Sequence, residues 1–260
     1  MKRLRIVGAV LLATVAGGLL RTQPAWGQER VSPGKIVLEF TAKEKEFAQA
    51  FSHYTYTQNV SFQILRDDGS VREERRMVSE VFFNEKGERE TKVVSDEGGL
   101  TSVTITENDI DNVLNLQPFV LTRDDLEYYK IAYQGREKVD ELNTYVFDVR
   151  PRRMDPGKRY FDGRIWVDDV DLQVVMTRGK PVPEPGEEKF PRFETVRQQI
   201  DGKYWFPVWS LADDYLEFRN QTVHIRVLAT WEDFQEYQVS TKVTFGDVVK
   251  DDGSKEKPPR

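Results

Sequence analysis

The chain has 260 residues, 38% of them hydrophobic and 32% charged, with a formal net charge of −6 and no cysteine. Without cysteine there can be no disulfide, no thiolate metal site, no cysteine nucleophile and no acylated N-terminal cysteine. The acidic balance argues against nucleic acid as a partner and against docking on anionic lipid headgroups, because phosphates are repelled and few counterions would be released.

Residues 1–27 read as a removable secretory signal. Lys2, Arg3 and Arg5 form a basic start, Ile6 to Leu20 is an apolar run broken only by small residues, and Ala25-Trp26-Gly27 supplies small residues at the positions a signal peptidase reads. The apolar stretch is about 15 residues, short of the roughly 20 that a membrane span needs. Cleavage near Gly27 would leave a product with 34 basic and 44 acidic residues, a net charge of −10. The expected location is the periplasm, with no lipid anchor. Residues 28–246 have the length of one large β domain.

Along the chain, 28–38 reads as a loose lead-in, with Ser32-Pro33-Gly34 as a break. A helix is predicted over 41–51, with Thr41 as cap and Glu44 three residues on as in a capping box. The period then changes to two. Tyr54, Tyr56, Val60, Phe62 and Ile64 alternate with polar residues, which predicts a strand with one apolar face. Asp67-Asp68-Gly69-Ser70 predicts a hairpin turn into a second strand from Val71 to Phe83, and Asn84 to Gly87 predicts the next turn. Short strands are predicted near 89–95 and 100–106, split by Gly98-Gly99.

Residues 107–127 read as two short helices or an ordered loop, with Pro118 between them. Strands resume at Tyr128, with a turn starting at Gly135, then Thr144 to Val149, and a hairpin of Phe161–Val167 and Leu172–Thr177 around Asp168 to Asp171. Pro181, Pro183 and Pro185 keep their segment out of a sheet interior. Phe190–Ile200 and Tyr204–Leu211 pair around Asp201-Gly202. Two last strands are predicted over 222–231 and 235–246, and a polar, disordered tail over 247–260. The sum is one N-terminal helix and ten or eleven antiparallel strands with a short helical insertion. The fold class is mainly β (α+β), a strongly curved antiparallel sheet or open barrel.

Four stretches carry a resemblance: Tyr129 to Glu137, Thr144 to Pro151, Arg164-Ile165-Trp166-Val167-Asp168 and Asp201 to Pro207. Together they resemble the LolA/LolB-like superfamily of periplasmic lipoprotein-sorting carriers, over about a third of the chain. The resemblance implies a half-open barrel with short helices as a lid over an apolar concavity that receives acyl chains. The lack of cysteine sets this chain apart from a lipid-anchored receptor of the LolB kind.

The candidate ligand-binding residues are the inward-facing apolar side chains Val60, Phe62, Ile64, Ile131, Tyr133, Phe147, Ile165, Met176 and Ile225, which either line such a cavity or fill an ordinary core. Trp166, Trp205, Trp209 and Trp231 read as strand packing. Asp168, Asp169 and Asp171 lack the spacing of a calcium loop and read as a solvated turn. His53 and His224 are the only histidines, and no G-x-S-x-G or H-E-x-x-H is present. No catalytic residue, metal or cofactor is assigned. Three functions follow in order: a non-enzymatic carrier, shuttle or sensor that binds lipid or the acyl chains of lipoproteins noncovalently; a cell-envelope protein–protein interaction module on the same fold; and, last, a hydrolase whose site forms only in three dimensions.

Overall fold

Three of the predicted hairpin turns form where the sequence demands a left-handed backbone. Gly69 has φ +80°, Gly87 has φ +76°, and Asp201-Gly202 has φ +53° and +66°, the two positive values of a type I′ turn. In the computed structural model the described residues are 32–116, 118–184 and 186–237. The leader and the polar tail both lie outside them.

The helix α1 runs Pro33–Phe51, eight residues earlier than predicted. Proline is tolerated in a first helical turn because its missing N–H has no partner there, so Ser32-Pro33 marks a start and not a break. Thr41 is therefore mid-helix. Its hydroxyl donates back to the Val37 carbonyl at 2.7 Å, and the capping box predicted at Thr41 and Glu44 does not form. The true buried face is Ile36, Phe40, Thr41, Glu44 and Phe47.

Ten strands follow: β1 Tyr54–Leu65, β2 Val71–Phe83, β3 Arg89–Gly99, β4 Tyr129–Val139, β5 Leu142–Pro151, β6 Tyr160–Asp168, β7 Val174–Val182, β8 Phe193–Ile200, β9 Tyr204–Phe218 and β10 Gln221–Glu236. They form one antiparallel sheet in the order β3-β2-β1-β10-β9-β8-β7-β6-β5-β4. Two meanders, β1–β3 and β4–β10, are joined by the pairing of β1 with β10, where Ile64 faces Ile225 and Val60 faces Ala229. The sheet stays open, with β3 and β4 as its edges. The connection between those two edges is residues 100–128. It carries the helix α2 (Glu107–Asp111), a π-helical turn (Asn112–Leu116) and a 3₁₀ turn (Arg123–Asp125), and is called here the crossing segment.

Several predicted boundaries move for physical reasons. Residues 100–106 are not a strand, because β3 ends at Gly99. Gly135 (φ +122°) is not a turn but a bulge inside β4, opposite the step from Phe147 to Val146. A bulge inserts one residue and lets the strand continue. Asp233 (φ +58°) likewise keeps β10 a single strand where two were predicted. The remainder of the second, 238–246, lies outside the described residues. Pro181 does enter β7, opposite Phe161. It can do so because β8 pairs with β7 only over Met176–Gly179, so the ring displaces no ladder hydrogen bond on that side.

The main core joins α1, the crossing segment and the concave face of the sheet. Phe40 of α1 lies 5.6 Å from Phe147 between ring centroids, and in a separate cluster with Tyr54, Phe47 packs edge-on against Phe206 at 5.7 Å. A further cluster, Val146, Trp166, Val175 and Met176, lies on the other face.

Candidate functional site

The crossing segment is tied to the sheet and to α1 at successive points. At its start, the Glu73 carboxylate of β2 accepts the Thr101 and Ser102 amides at 2.6 and 3.0 Å, and the Ser102 hydroxyl as well. These bonds, led by the Ser102 hydroxyl, hold the Glu73 carboxyl down at about 2. Gln221, at the β9–β10 turn, donates to the Ser102 carbonyl at 2.9 Å. Thr106 caps α2 in a true capping box with Asp109. Asn108 donates to both oxygens of Glu188 at 3.0 Å, and Arg159 donates to the Asn112 carboxamide oxygen at 3.0 Å. Farther on, Arg123 donates to the Leu38 carbonyl of α1 at 2.9 and 3.1 Å.

The deepest tie is Arg197 of β8. Its guanidinium forms a two-pronged pair with Glu44 of α1 at 2.7 and 3.1 Å, and it also donates to the Phe119 carbonyl of the crossing segment at 2.6 Å. It lies 4.3 Å from the Phe47 ring centroid. Both side chains are almost fully buried, at 1% and 2% exposure, and the Arg197 Nε has no hydrogen-bond partner. One cation thus joins sheet, helix and crossing segment. Arg197 was not singled out from sequence and Glu44 was read as part of a cap, yet the buried position of each carries a legible signal. Arg197 follows Phe193 and Thr195 at period two, on the buried face of β8. Glu44 falls between Phe40 and Phe47 on the apolar face of α1.

Phe119 is seated by a second device. Gly163 of β6 and Gly179 of β7 face each other across the ladder, and the Phe161 ring lies over the pair. A Cβ on Gly179 would meet that ring at 2.4 Å, and one on Gly163 would meet it at 2.6 Å. Phe119 stacks on Phe161 with centroids 4.2 Å apart and 16° between planes. The Phe161 amide donates to the Tyr129 hydroxyl at 3.2 Å. Burial foremost raises that hydroxyl to about 12, so it stays neutral and able to accept.

Between the crossing segment, the β9–β10 hairpin and the loop after β7 lies a cavity of about 510 Å³, within the range of small-molecule sites. Its apolar wall includes Phe62, Phe193, Leu216, Val223, Ile225 and Val227, with Val113 from the crossing segment. Its polar wall includes Thr101, Ser102, Thr104, Thr106, Asp109, Asn112, Glu187 and Glu188. Burial is the leading cause that raises the Asp109 carboxyl above its ordinary range. The Thr106 bonds oppose the shift and nearby Glu188 adds to it.

Of the nine candidate residues, Phe62 and Ile225 line this cavity. Val60, Ile64, Phe147 and Ile165 are buried in the core that includes Ile36 and Phe40 of α1, with Ile131 half-buried at its margin. Tyr133 stands at the β4 edge, 40% exposed. Met176 lies on the opposite face of the sheet. Trp166 faces Met176 but Val167 faces Val174, so Val175 is an extra residue that turns Met176 away from the concavity. Val223, Val227 and Leu216, in the apolar wall, were not among the nine, although Val223 and Val227 share the alternation that contains Ile225. None of Trp166, Trp205, Trp209 and Trp231 lines the cavity.

The Asp168–Asp171 turn uses its carboxylates internally. Asp168 accepts the Val170 and Asp171 amides, and Asp171 accepts the Trp205 indole at 2.8 Å. Among the described residues no group of three or more His, Asp or Glu could hold a metal ion, and no helix is long and apolar enough to cross a membrane. His224 contacts Asp213 at 2.6 Å and does not line the cavity.

No family model matches the chain, and no curated protein matches it. Among solved structures, the chain is similar to a DUF1329 family protein from Desulfovibrio piger, at 14% identity over 80% of this chain and 95% of that one, with a TM-score of 0.43. A LolA superfamily protein from Nitrosomonas europaea is 11% identical over 83% and 98%, with a TM-score of 0.39. A domain from Vibrio parahaemolyticus, described as an outer membrane lipoprotein-sorting protein, is 10% identical over 79% and 94%, with a TM-score of 0.41.

Proposed function

We propose that this protein is an exported, non-enzymatic carrier or sensor that holds an acyl chain noncovalently in the cavity beneath its crossing segment. The single observation that carries the reading is that cavity, about 510 Å³ with an apolar wall of β8–β10 side chains. An acyl chain entering it gains roughly 0.8 kcal/mol for each CH₂ removed from water. Ile36 and Phe40 of α1 fill part of the concave face, so the ligand space is the end of the barrel that holds the cavity and not the whole face. The crossing segment is the movable wall, and Arg197 is its latch to α1. Export to a periplasm rests on the 1–27 leader, and the carrier on a domain over 28–246.

The test starts from the full chain, expressed with its leader and purified from a Gram-negative periplasm. A native mass spectrum, taken beside a lipid extraction, is expected to show added masses that match acyl compounds. Val223→Trp, which fills the apolar wall, should remove them while the strand signal in circular dichroism persists. A clean apo mass that remains clean after incubation with lipid overturns the carrier reading. It would favour an envelope interaction module, for which the exposed Val93 and Val94 on edge strand β3 give the place to look. The Pro-rich loop is a weaker place for strand addition, because Pro181 and Val182 already belong to β7.

A further inference from the structure

Among the described residues nothing pairs with the outer side of β3. All of its residues but Ser95 are exposed, and Val93 and Val94 stand out at 49% and 43% exposure. The chain leaves this edge at once. The Thr101 and Ser102 amides turn back onto the Glu73 carboxylate of β2, so the crossing segment does not run along β3. An unpaired edge offers its backbone donors and acceptors to any extended chain, and proteins commonly guard one with lysine and a bulge. β3 has both, Lys92 and a bulge at Val94, where Val78 pairs with Ser95 but Ser79 with Val93.

The ladder with β2 assigns each residue of β3 to a face. Met77, Ser79 and Val81, buried on the concave side, lie opposite Asp96, Val93 and Thr91. On the outer side Arg76, Glu80 and Phe82 lie opposite Glu97, Lys92 and Glu90. The extra residue Val94 thus puts Lys92 and Glu97 on one face, where a regular strand would put them on opposite faces. Lys92 forms no hydrogen bond or ion pair among the described residues. Glu97 accepts the Ser95 hydroxyl at 3.2 Å, and its cross-strand neighbour Arg76 is committed to Glu74 at 2.6 Å.

Two copies of β3 paired antiparallel are related by a two-fold axis perpendicular to the sheet, so each residue meets one of its own face. With the bulge in place, two registers keep the faces matched throughout. In the first, Val93 lies opposite Val94 of the second copy and Glu90 meets Glu97 twice, and like charges directly opposite are destabilising. In the second, Val94 lies opposite Ser95 and Lys92 meets Glu97 twice. Glu90 then meets Gly99, Thr91 meets Gly98, and Val93 meets Asp96, whose charge Arg75 already answers at 2.8 Å. Charge therefore chooses the second register. The lysine and the bulge that deter other chains select this one. The opposite edge has no such match, since β4 sets Lys130, Arg136 and Lys138 against the single acid Glu137.

We propose that β3 pairs antiparallel with β3 of a second copy, Lys92 against Glu97 in both directions, in a two-fold dimer that joins the two ten-stranded sheets into one. Both concave faces then lie on the same side of the joined sheet. This does not depend on the carrier reading.

The experiment is sedimentation velocity of the purified full-chain product, loaded from about 1 to 100 μM to bracket a micromolar Kd. The parent is expected to reach the dimer mass at the upper end. Lys92→Glu and Glu97→Lys each set like charges opposite each other twice, and each should weaken dimerisation at least tenfold. An equimolar mixture of the two single variants, and the double variant, set opposite charges face to face again, so both should dimerise within about threefold of the parent. Both positions are exposed, and unchanged circular dichroism of the single variants separates lost pairing from lost folding. A parent that stays monomeric across the range overturns the proposal and leaves the edge to the chain's own tail or to another protein. A dimer that survives the single reversals, or a loss that neither the mixture nor the double variant repairs, overturns it too.

Discussion

Replacing Glu44 by leucine strips a buried guanidinium of its carboxylate. The Arg197 side chain is 1% exposed and cannot swing into water without dragging strand β8, so its charge stays in the core. Breaking a buried pair from one side costs roughly 3–5 kcal/mol. For a domain of 150–250 residues each kcal/mol moves Tm by about 2–4 °C, so Glu44→Leu should melt roughly 6–20 °C below the parent. Arg197→Met should cost a similar amount, because it leaves the Glu44 carboxylate and the Phe119 carbonyl without their donor. The double variant removes both charges and fills the space with apolar atoms. Since Arg197 Nε is already unpartnered, the pair is incompletely satisfied, and the double variant should return to within about 2 kcal/mol of the parent. Urea unfolding followed by tryptophan fluorescence gives the four free energies and hence the coupling between the two sites. Hydrogen exchange at Phe119 to Leu121 reports whether the crossing segment loosens while the rest of the sheet holds. A single Glu44→Leu cost below about 1 kcal/mol, or single costs that simply add in the double variant, would refute the latch.

Gly179→Ala pushes a methyl group into the Phe161 ring and the Asp162 carbonyl. Overpacking of this kind should cost roughly 1–3 kcal/mol and reduce protection at Phe119, read by thermal melts and hydrogen exchange. Ala at Gly202, where φ is +66°, should destabilise by about 1–2 kcal/mol through the left-handed backbone alone, with no effect on ligand affinity. The Glu73 carboxyl is depressed from its ordinary 4.5 to about 2. The stability it contributes is therefore present in full above the ordinary value and lost as pH falls from there through about 2. The stability difference between the parent and Glu73→Gln should shrink over that window, and a difference that stays constant from pH 6 to 2.5 refutes the assignment.

Turn chemistry was the most legible part of this fold, because Asp68-Gly69, Lys86-Gly87 and Asp201-Gly202 place residues that tolerate positive φ where apolar alternation stops. The half-open sheet follows from the strand count and the hairpin links. What escaped were the bulges. Gly135, Asp233 and the extra residue at Val175 each look like an ordinary strand or turn position, since a bulge is decided by how the neighbouring strand aligns and not by local preference. The slip at Val175 alone put Met176 on the wrong list. Glu44 was misread because a Thr-x-x-Glu spacing describes a cap only if the helix begins there, and Ser32-Pro33 had already begun it. Where the concave face stays open could not be read from the alternation. Phe62 and Ile225 share their alternation with Val60 and Ile64, and only the course of α1 over the concave face separates open space from filled core.

The seam between β1 and β10 has a consequence for biosynthesis. Residues 54–64 find their neighbours at 225–236, so the first strand made waits for the last before the sheet can close. Such distant pairing slows folding, because the loop entropy falls due before any contact rewards it. A chain threaded through a membrane from its N-terminus would keep the β1–β3 arm exposed until nearly all of it had crossed. Loss of β10 by proteolysis or a premature stop would not trim this protein but disconnect it, freeing the β1–β3 arm from the β4–β9 meander in one step.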